Sequence, residues 1–143
     1  MQLQSRATKL PLTEVTNFIE LRDEAADFRS STPDNPNWWL LIQAGQYLVG
    51  ETHKQPQPPS HLIAFTTVPG DGCEPANFGL CRCSTGSSGW RWSSFCKTQY
   101  TNHREYGGVA NFLKCHIAVI KMLDYARELG IHTHPPIISK RRT

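Results

Sequence analysis

Two cysteines and a histidine are the residues in this sequence best suited to covalent chemistry. Cys115 and His116 are adjacent in the chain, and Cys96 precedes them. A neutral imidazole beside a thiol can take its proton and produce a thiolate nucleophile. The alternative is that all three belong to the core, since free cysteine is among the most buried residue types. We favour core packing, because a substrate rarely reaches a site that lies beneath a helix.

The five cysteines and six histidines also raise the question of a bound metal. Structural zinc sites usually carry paired cysteines with about two to four residues between them. Cys81 and Cys83 are separated by a single residue, and Cys73 is too distant to complete a zinc knuckle with them. We therefore assign no metal ligands and predict no cofactor, although a zinc-stabilised small domain stays an alternative.

A further candidate is a basic and aromatic binding surface. In a strand, Arg91, Lys97 and Gln99 share one face with Phe95. Basic side chains beside an aromatic ring can bind a single nucleic-acid strand or a peptide, and the alternative is an ordinary solvated sheet face. The formal charge of +3 and the pI of about 8.7 lie below the range typical of nucleic-acid binding, which argues against nucleic acid as the partner.

The residue pattern predicts an α+β fold. It consists of a meander of about five antiparallel strands packed by one C-terminal amphipathic helix, with a helical N-terminal arm. The predicted strands cover residues 38–43, 46–52, 61–68, 77–83 and 89–100, and a hairpin at 44–45 joins the first two. The predicted helices cover residues 13–28 and 109–129.

The second predicted helix positions the candidate thiol site. On a helical wheel centred on Val119, the apolar side comprises Phe112, Cys115, His116, Met122, Leu123 and Ala126. Gly130 is expected to end this helix in the left-handed conformation. Cys96 is expected on the inner face of the strand over 89–100, together with Trp90. Cys96, Cys115 and His116 are therefore expected to meet between the sheet and the helix.

The 143 residues suffice for one domain with a substantial core. We predict an N-terminal helical arm and linker over 1–36, an α+β core domain over 37–131 and a basic, disordered tail over 132–143. The sequence shows neither the apolar segment of a signal peptide nor a run long enough for a membrane span. It therefore predicts a soluble cytoplasmic protein with reduced cysteines and no membrane partner.

Three blocks in the second half of the chain resemble a protein family. They are GCEPANFGLCR at 72–82, GWRWSSFCKTQY at 89–100 and GGVANFLKCH at 107–116. In this order they resemble a family of small uncharacterised bacterial proteins with no known activity. The resemblance implies a bacterial, intracellular setting and carries no function, cofactor or partner. The chain departs from the family pattern at Cys83 and over residues 131–136.

The lack of an assembled catalytic motif in the sequence decides the functional prediction. We predict a non-enzymatic binding or protein-interaction module, whose partner is an unidentified protein or small molecule. A thiol-dependent enzyme that uses Cys96 or Cys115 with His116 is the first alternative, and a zinc-stabilised domain is the second. Rapid alkylation of a low-pKa cysteine near neutral pH would distinguish the enzyme from the binding module.

Overall fold

An antiparallel sheet with helices on both faces forms the centre of the protein. The computed structural model describes residues 2–47, 59–82, 90 and 101–131. Within these ranges the strands are β1 Glu14–Val15, β2 Ile19–Arg22, β3 His61–Val68 and β4 Ala76–Arg82. The α-helices are α1 Gln2–Ala7, α2 Trp38–Tyr47 and α3 Gly108–Glu128. Short 3₁₀ helices occupy Asp23–Ala26, Phe28–Ser30 and Arg104–Tyr106.

β3 is the central strand, and both of its edges are paired. β4 runs antiparallel along one edge, opposite residues 61–67. β1 and β2 share the other edge, where they lie opposite residues 67–68 and 61–64 respectively. A one-residue shift of register separates these two short strands, and there the Thr16 hydroxyl accepts a hydrogen bond of 2.8 Å from the Thr66 amide. This bulge allows the edge segment to continue past a break in the ladder.

Two apolar cores hold the helices to the sheet. α2 covers one face, over a core that comprises Ala26, Leu40, Leu41, Ala44, Leu62, Ala64 and Cys81. α1 and α3 cover the other face, over a core that comprises Ala7, Phe65, Ala76, Phe78 and Met122. Successive residues of a strand point to opposite faces, so β3 contributes side chains to both cores. The predicted α+β class is confirmed.

The helix predicted over 13–28 is wrong, because this segment forms β1, β2 and two 3₁₀ helices. Burial alternates along β2, as it does in a strand with one face covered. Ile19 and Leu21 pack on the core beneath α2, while Glu20 and Arg22 stay exposed. Pairing with β3 therefore decides the conformation of a segment whose apolar spacing also suits a helix.

The strand predicted over 38–43 and the hairpin at 44–45 are also wrong, because both lie within α2. Leu40, Leu41 and Ala44 are buried together at helical spacing. Leucine, glutamine and alanine are good helix formers, and they make up much of this segment. Of the strand predicted over 46–52, residues 46 and 47 belong to α2 and the others lie outside the described residues.

The remaining elements agree closely with prediction where the structure describes them. β3 has the predicted bounds, β4 begins one residue earlier than predicted, and each end of α3 falls one residue before the predicted position. Gly130 has a φ of 87°, which is the left-handed conformation expected after a helix. The predicted strand over 89–100 lies outside the described residues except for Trp90. The described part of the sheet therefore has four strands rather than about five.

The N-terminal segment packs directly on the rest of the protein. Arg6 of α1 forms an ion pair with Glu128 of α3 and lies over the ring of Tyr125, 5.3 Å from its centroid. β1 and β2 belong to the same sheet as β3. The domain boundaries after residues 36 and 131 stay predictions. In the described part of the chain, each helix is too short or too polar to cross a membrane.

Candidate functional site

The geometry of α3 separates the two adjacent residues of the predicted thiol site. Cys115 is fully buried, whereas His116 is exposed and stacks on Phe112 with ring centroids 5.5 Å apart. Consecutive residues of an α-helix point about 100° apart, so the expectation that both face the sheet is wrong for His116. A role for Cys96 stays a prediction, because it lies outside the described residues. The same holds for the residues of the predicted basic surface, Arg91, Lys97 and Gln99.

Cys115 instead contacts the turn that follows β3. Its thiol donates a hydrogen bond to Oδ1 of Asn111, with Sγ and Oδ1 3.7 Å apart, and lies beside Cys73. Its Sγ atom lies so close to Gly70 that a Cβ at that glycine would be 2.6 Å away. One turn earlier on α3, the Asn111 amide donates a hydrogen bond of 2.9 Å to the carbonyl oxygen of Asp71. These contacts attach the first half of α3 to the β3–β4 turn.

The environment of Cys115 makes it a poor nucleophile. Burial raises the pKa of the Cys115 thiol above its usual range, and the neighbouring Cys73 thiol raises it further. A thiol with a raised pKa carries little of the reactive thiolate near neutral pH. Its surroundings therefore favour the interpretation of Cys115 as a core residue over its use as an enzyme nucleophile.

Alkylation by iodoacetamide tests this interpretation. At pH 7, Cys115 of the folded protein is expected to react at least about 100-fold more slowly than in urea, because local opening must first expose the thiol. Timed quenching followed by peptide mass spectrometry gives the rate for each cysteine, and the half-buried Cys73 serves as the internal comparison. Rapid labelling of Cys115 in the folded protein would contradict core packing and would revive the thiol-enzyme hypothesis.

The residues that the structure describes do not form the zinc site of the alternative prediction. Among them, no three histidine, cysteine, aspartate or glutamate side chains come together as a possible metal site. Cys81 is buried in the core beneath α2, where its neighbour across the strands is Leu62. Its predicted companion Cys83 lies outside the described residues, so the zinc hypothesis stays a prediction.

The side of α3 that faces away from the sheet carries a line of apolar residues. Four branched aliphatic residues are exposed there, namely Val109 at 67%, Leu113 at 49%, Ile117 at 47% and Ile120 at 45%. At about 100° per residue they fall within an arc of about 80°, opposite the buried Cys115 and Met122. We call these four residues the outer stripe. A surface helix normally carries polar side chains on this side, so the outer stripe is a candidate interaction surface.

Charges are distributed unequally at the two ends of the outer stripe. Asp124 continues the line of the stripe beyond Ile120, and Arg127 follows one turn later. At the other end, the first turn of α3 contains no acidic residue, and no side chain among the described residues caps it. The first N–H groups of a helix carry partial positive charge. The stripe therefore runs from a positive helix end to a carboxylate.

A polar cluster surrounds a buried histidine at the start of β3. His61 is 8% exposed, and its Nε2 lies 2.8 Å from Oε1 of Glu20. This hydrogen bond, with a contribution from Arg22, lowers the pKa of Glu20. The ring of Trp90 lies edge-on to His61 with centroids 4.7 Å apart, and the Arg82 guanidinium lies 5.1 Å from the same indole ring. Nδ1 of His61 is buried and has no hydrogen-bond partner among the described residues.

Two features thus remain as candidates for function, the outer stripe of α3 and the polar cluster at His61. The first leaves apolar groups in water, and the second leaves a buried polar atom unpaired. Exposed apolar groups and an unpaired buried polar atom both cost stability. Scans against protein-family models, curated proteins and solved structures gave no match to this chain.

Proposed function

We propose that the protein is a non-enzymatic interaction module that pairs with a second copy of itself through the outer stripe of α3. The observation that carries this proposal is a helix of 21 residues with apolar side chains on both its inner and outer sides. A helix with apolar side chains on two sides normally has both sides covered. Covering the stripe would contribute about 25 cal/mol for each Å² of apolar surface removed from water. The bacterial, intracellular setting implied by the three sequence blocks belongs to the same proposal.

The outer stripe is complementary to itself when two α3 helices run antiparallel. With a two-fold axis between positions 116 and 117, Leu113 faces Ile120 of the partner subunit. Ile117 then lies at the centre of the pair. Neighbouring residues of the stripe are three or four positions apart, which is the spacing that packed helix pairs require. From Val109 to Ile120 the stripe is about 17 Å long at 1.5 Å per residue.

Electrostatics favours the antiparallel arrangement. It places Asp124 opposite the first turn of the partner subunit's α3. Because that turn lacks acidic residues and a side-chain cap among the described residues, a carboxylate there can accept hydrogen bonds from its N–H groups. Glu105 comes near Arg127 of the partner subunit in the same arrangement. A parallel pair would lose both complementary contacts, because identical helix ends would meet.

Sedimentation velocity of the full chain over a range of concentrations tests the proposal. We expect a reversible dimer, with weak affinity because a single helix pair buries less than the roughly 1,600 Å² of a standard interface. Leu113→Glu should raise the dimer dissociation constant at least about 100-fold, because it places an unpaired carboxylate within an apolar contact. Circular dichroism and thermal melting establish that each variant keeps its fold.

Lys114→Glu is the matched control. It introduces the same carboxylate one residue further along α3, about 100° away from Leu113, and should change the dissociation constant by less than about threefold. Orientation is tested by Glu105→Arg and Arg127→Glu, which should each weaken the dimer and together restore it. A chain that stays monomeric at the highest concentration measured, or equal effects of the two carboxylates at 113 and 114, would overturn the proposal.

A further inference from the structure

An apolar cavity of about 290 Å³ lies over the sheet, beside α1 and the residues that follow α3. It is on the opposite side of α3 from the outer stripe. Part of its floor consists of side chains of β3 and β4, among them Ile63, Phe65, Phe78 and Leu80. Leu3 of α1 and Leu129, just beyond α3, are among the residues on the other side. The cavity is open to solvent on one side, and its apolar lining can remove an aliphatic chain from water.

The floor of the cavity continues into the polar cluster at His61. His61 lies two residues before Ile63 on β3, and Arg82 lies two residues after Leu80 on β4. Residues two apart on a strand share a face and are separated by about 7 Å. His61 and Arg82 are also direct neighbours across the two strands. On β2, Glu20 lies opposite Ile63 and completes this polar end.

Arg82 is the group at the polar end that is left to bind an anion. In a neutral imidazole whose Nε2–H donates to the Glu20 carboxylate, the buried Nδ1 of His61 is an acceptor and contributes nothing to binding an anion. Arg82 contacts the Trp90 ring but forms no ion pair with a described carboxylate. Glu20, in contrast, is already engaged by His61 and by Arg22 at 2.7 Å. The charge that remains unbalanced at this end is therefore positive.

We propose that this cavity binds a medium-chain aliphatic carboxylate, with the chain in the cavity and the carboxylate beside the guanidinium of Arg82. The apolar lining removes the chain from water, and the guanidinium of Arg82 provides charge-assisted hydrogen bonds to the carboxylate. A volume of about 290 Å³ holds about ten groups of water size at about 30 Å³ each. Octanoate, with about ten non-hydrogen atoms, matches this volume.

Isothermal titration calorimetry of the full chain with octanoate and with octan-1-ol tests the inference. The two probes have chains of equal length, and only octanoate carries a charge. Octanoate is expected to bind one molecule per chain, and octan-1-ol at least about tenfold more weakly, because it lacks the charge-assisted hydrogen bond. The inference does not rest on the proposed dimer, since Leu113→Glu is expected to leave octanoate binding unchanged.

Variants separate the two ends of the site. Arg82→Gln should weaken octanoate binding at least about tenfold and leave octan-1-ol binding unchanged within about twofold. Arg104→Gln is the matched control, because Arg104 is an exposed arginine that precedes α3, near the helix end remote from the cavity. Leu80→Trp should fill the cavity and abolish binding of both probes. If that variant does not fold, Leu3→Trp fills the same space from the side of α1.

Three results would each overturn the inference. The first is equal affinity of the unchanged protein for octanoate and octan-1-ol. The second is unchanged octanoate affinity in Arg82→Gln. The third is the lack of binding of either probe to a folded protein.

Discussion

Alanine in place of Leu41 is expected to lower the free energy of unfolding by about 3 kcal/mol, and alanine in place of Trp39 to change it by less than about 0.5 kcal/mol. Leu41 is fully buried between α2 and the sheet, whereas the Trp39 side chain is 73% exposed. The loss at Leu41 combines the transfer of apolar surface into water with the cavity that remains in the core. Urea unfolding followed by circular dichroism measures both changes.

The same two variants distinguish a helix from the strand predicted over 38–43. In a strand, residues 39 and 41 point to the same face, so both or neither would be buried. In α2 they lie about 200° apart, and only Leu41 reaches the core. Similar losses at the two positions would contradict the helix and favour the strand prediction.

The segments that were predicted correctly carry a pattern that suits only one conformation. β3 is rich in branched and aromatic residues, and α3 is a long periodic segment followed by a glycine. The apolar residues of 13–28 and 38–47 suit a helix and a strand almost equally well. Their conformations depend on distant partners, as in the pairing of Ile19 with Ala64. Such pairing is a property of the fold, and the spacing of residues within one segment does not reveal it.

The candidate sites differ in how far they could be predicted. The contact of His61 with Glu20 joins residues 41 positions apart, and no local spacing indicates it. Cys115 was placed on the correct side of α3, because it shares that side with Met122. His116 was placed there by too wide an arc on the helical wheel. The outer stripe was not predicted, because its residues lie outside the arc around Val119 that was expected to pack on the sheet.

α3 connects the two proposals, because its two sides serve different purposes. The inner side packs against the sheet, the residues that follow the helix line the cavity, and the outer stripe stays exposed. A substitution on the outer stripe should therefore affect association without affecting the cavity. A substitution on the cavity floor should do the reverse. Each proposal can fail alone, so the experiments on Leu113 and on Arg82 are independent tests.

Gly79→Ala is expected to lower the free energy of unfolding by about 3 kcal/mol, because β4 approaches β3 very closely at this glycine. Gly79 pairs with Ala64 across the two strands. A Cβ at position 79 would lie 2.6 Å from the carbonyl oxygen of Ile63 and 2.8 Å from the Cβ of Ala64. The first of these contacts involves the main chain, so a strand would have to shift to accommodate the methyl group. Urea unfolding measures the loss.

Gly130→Ala is the matched control for that variant. Nothing lies within 4 Å of a Cβ at position 130, so this variant creates no close contact. Gly130 has a φ of 87°, and holding alanine in this left-handed conformation should lower the free energy of unfolding by about 1 kcal/mol. Combining Gly79→Ala with Ala64→Gly removes one of the two close contacts, so the double variant should lose about 1 kcal/mol less than the sum of the single variants. Additive losses would show that β3 and β4 are further apart. Because Gly79 and Ala64 also line the cavity, that result would change the shape of the proposed carboxylate site as well as the packing of the sheet.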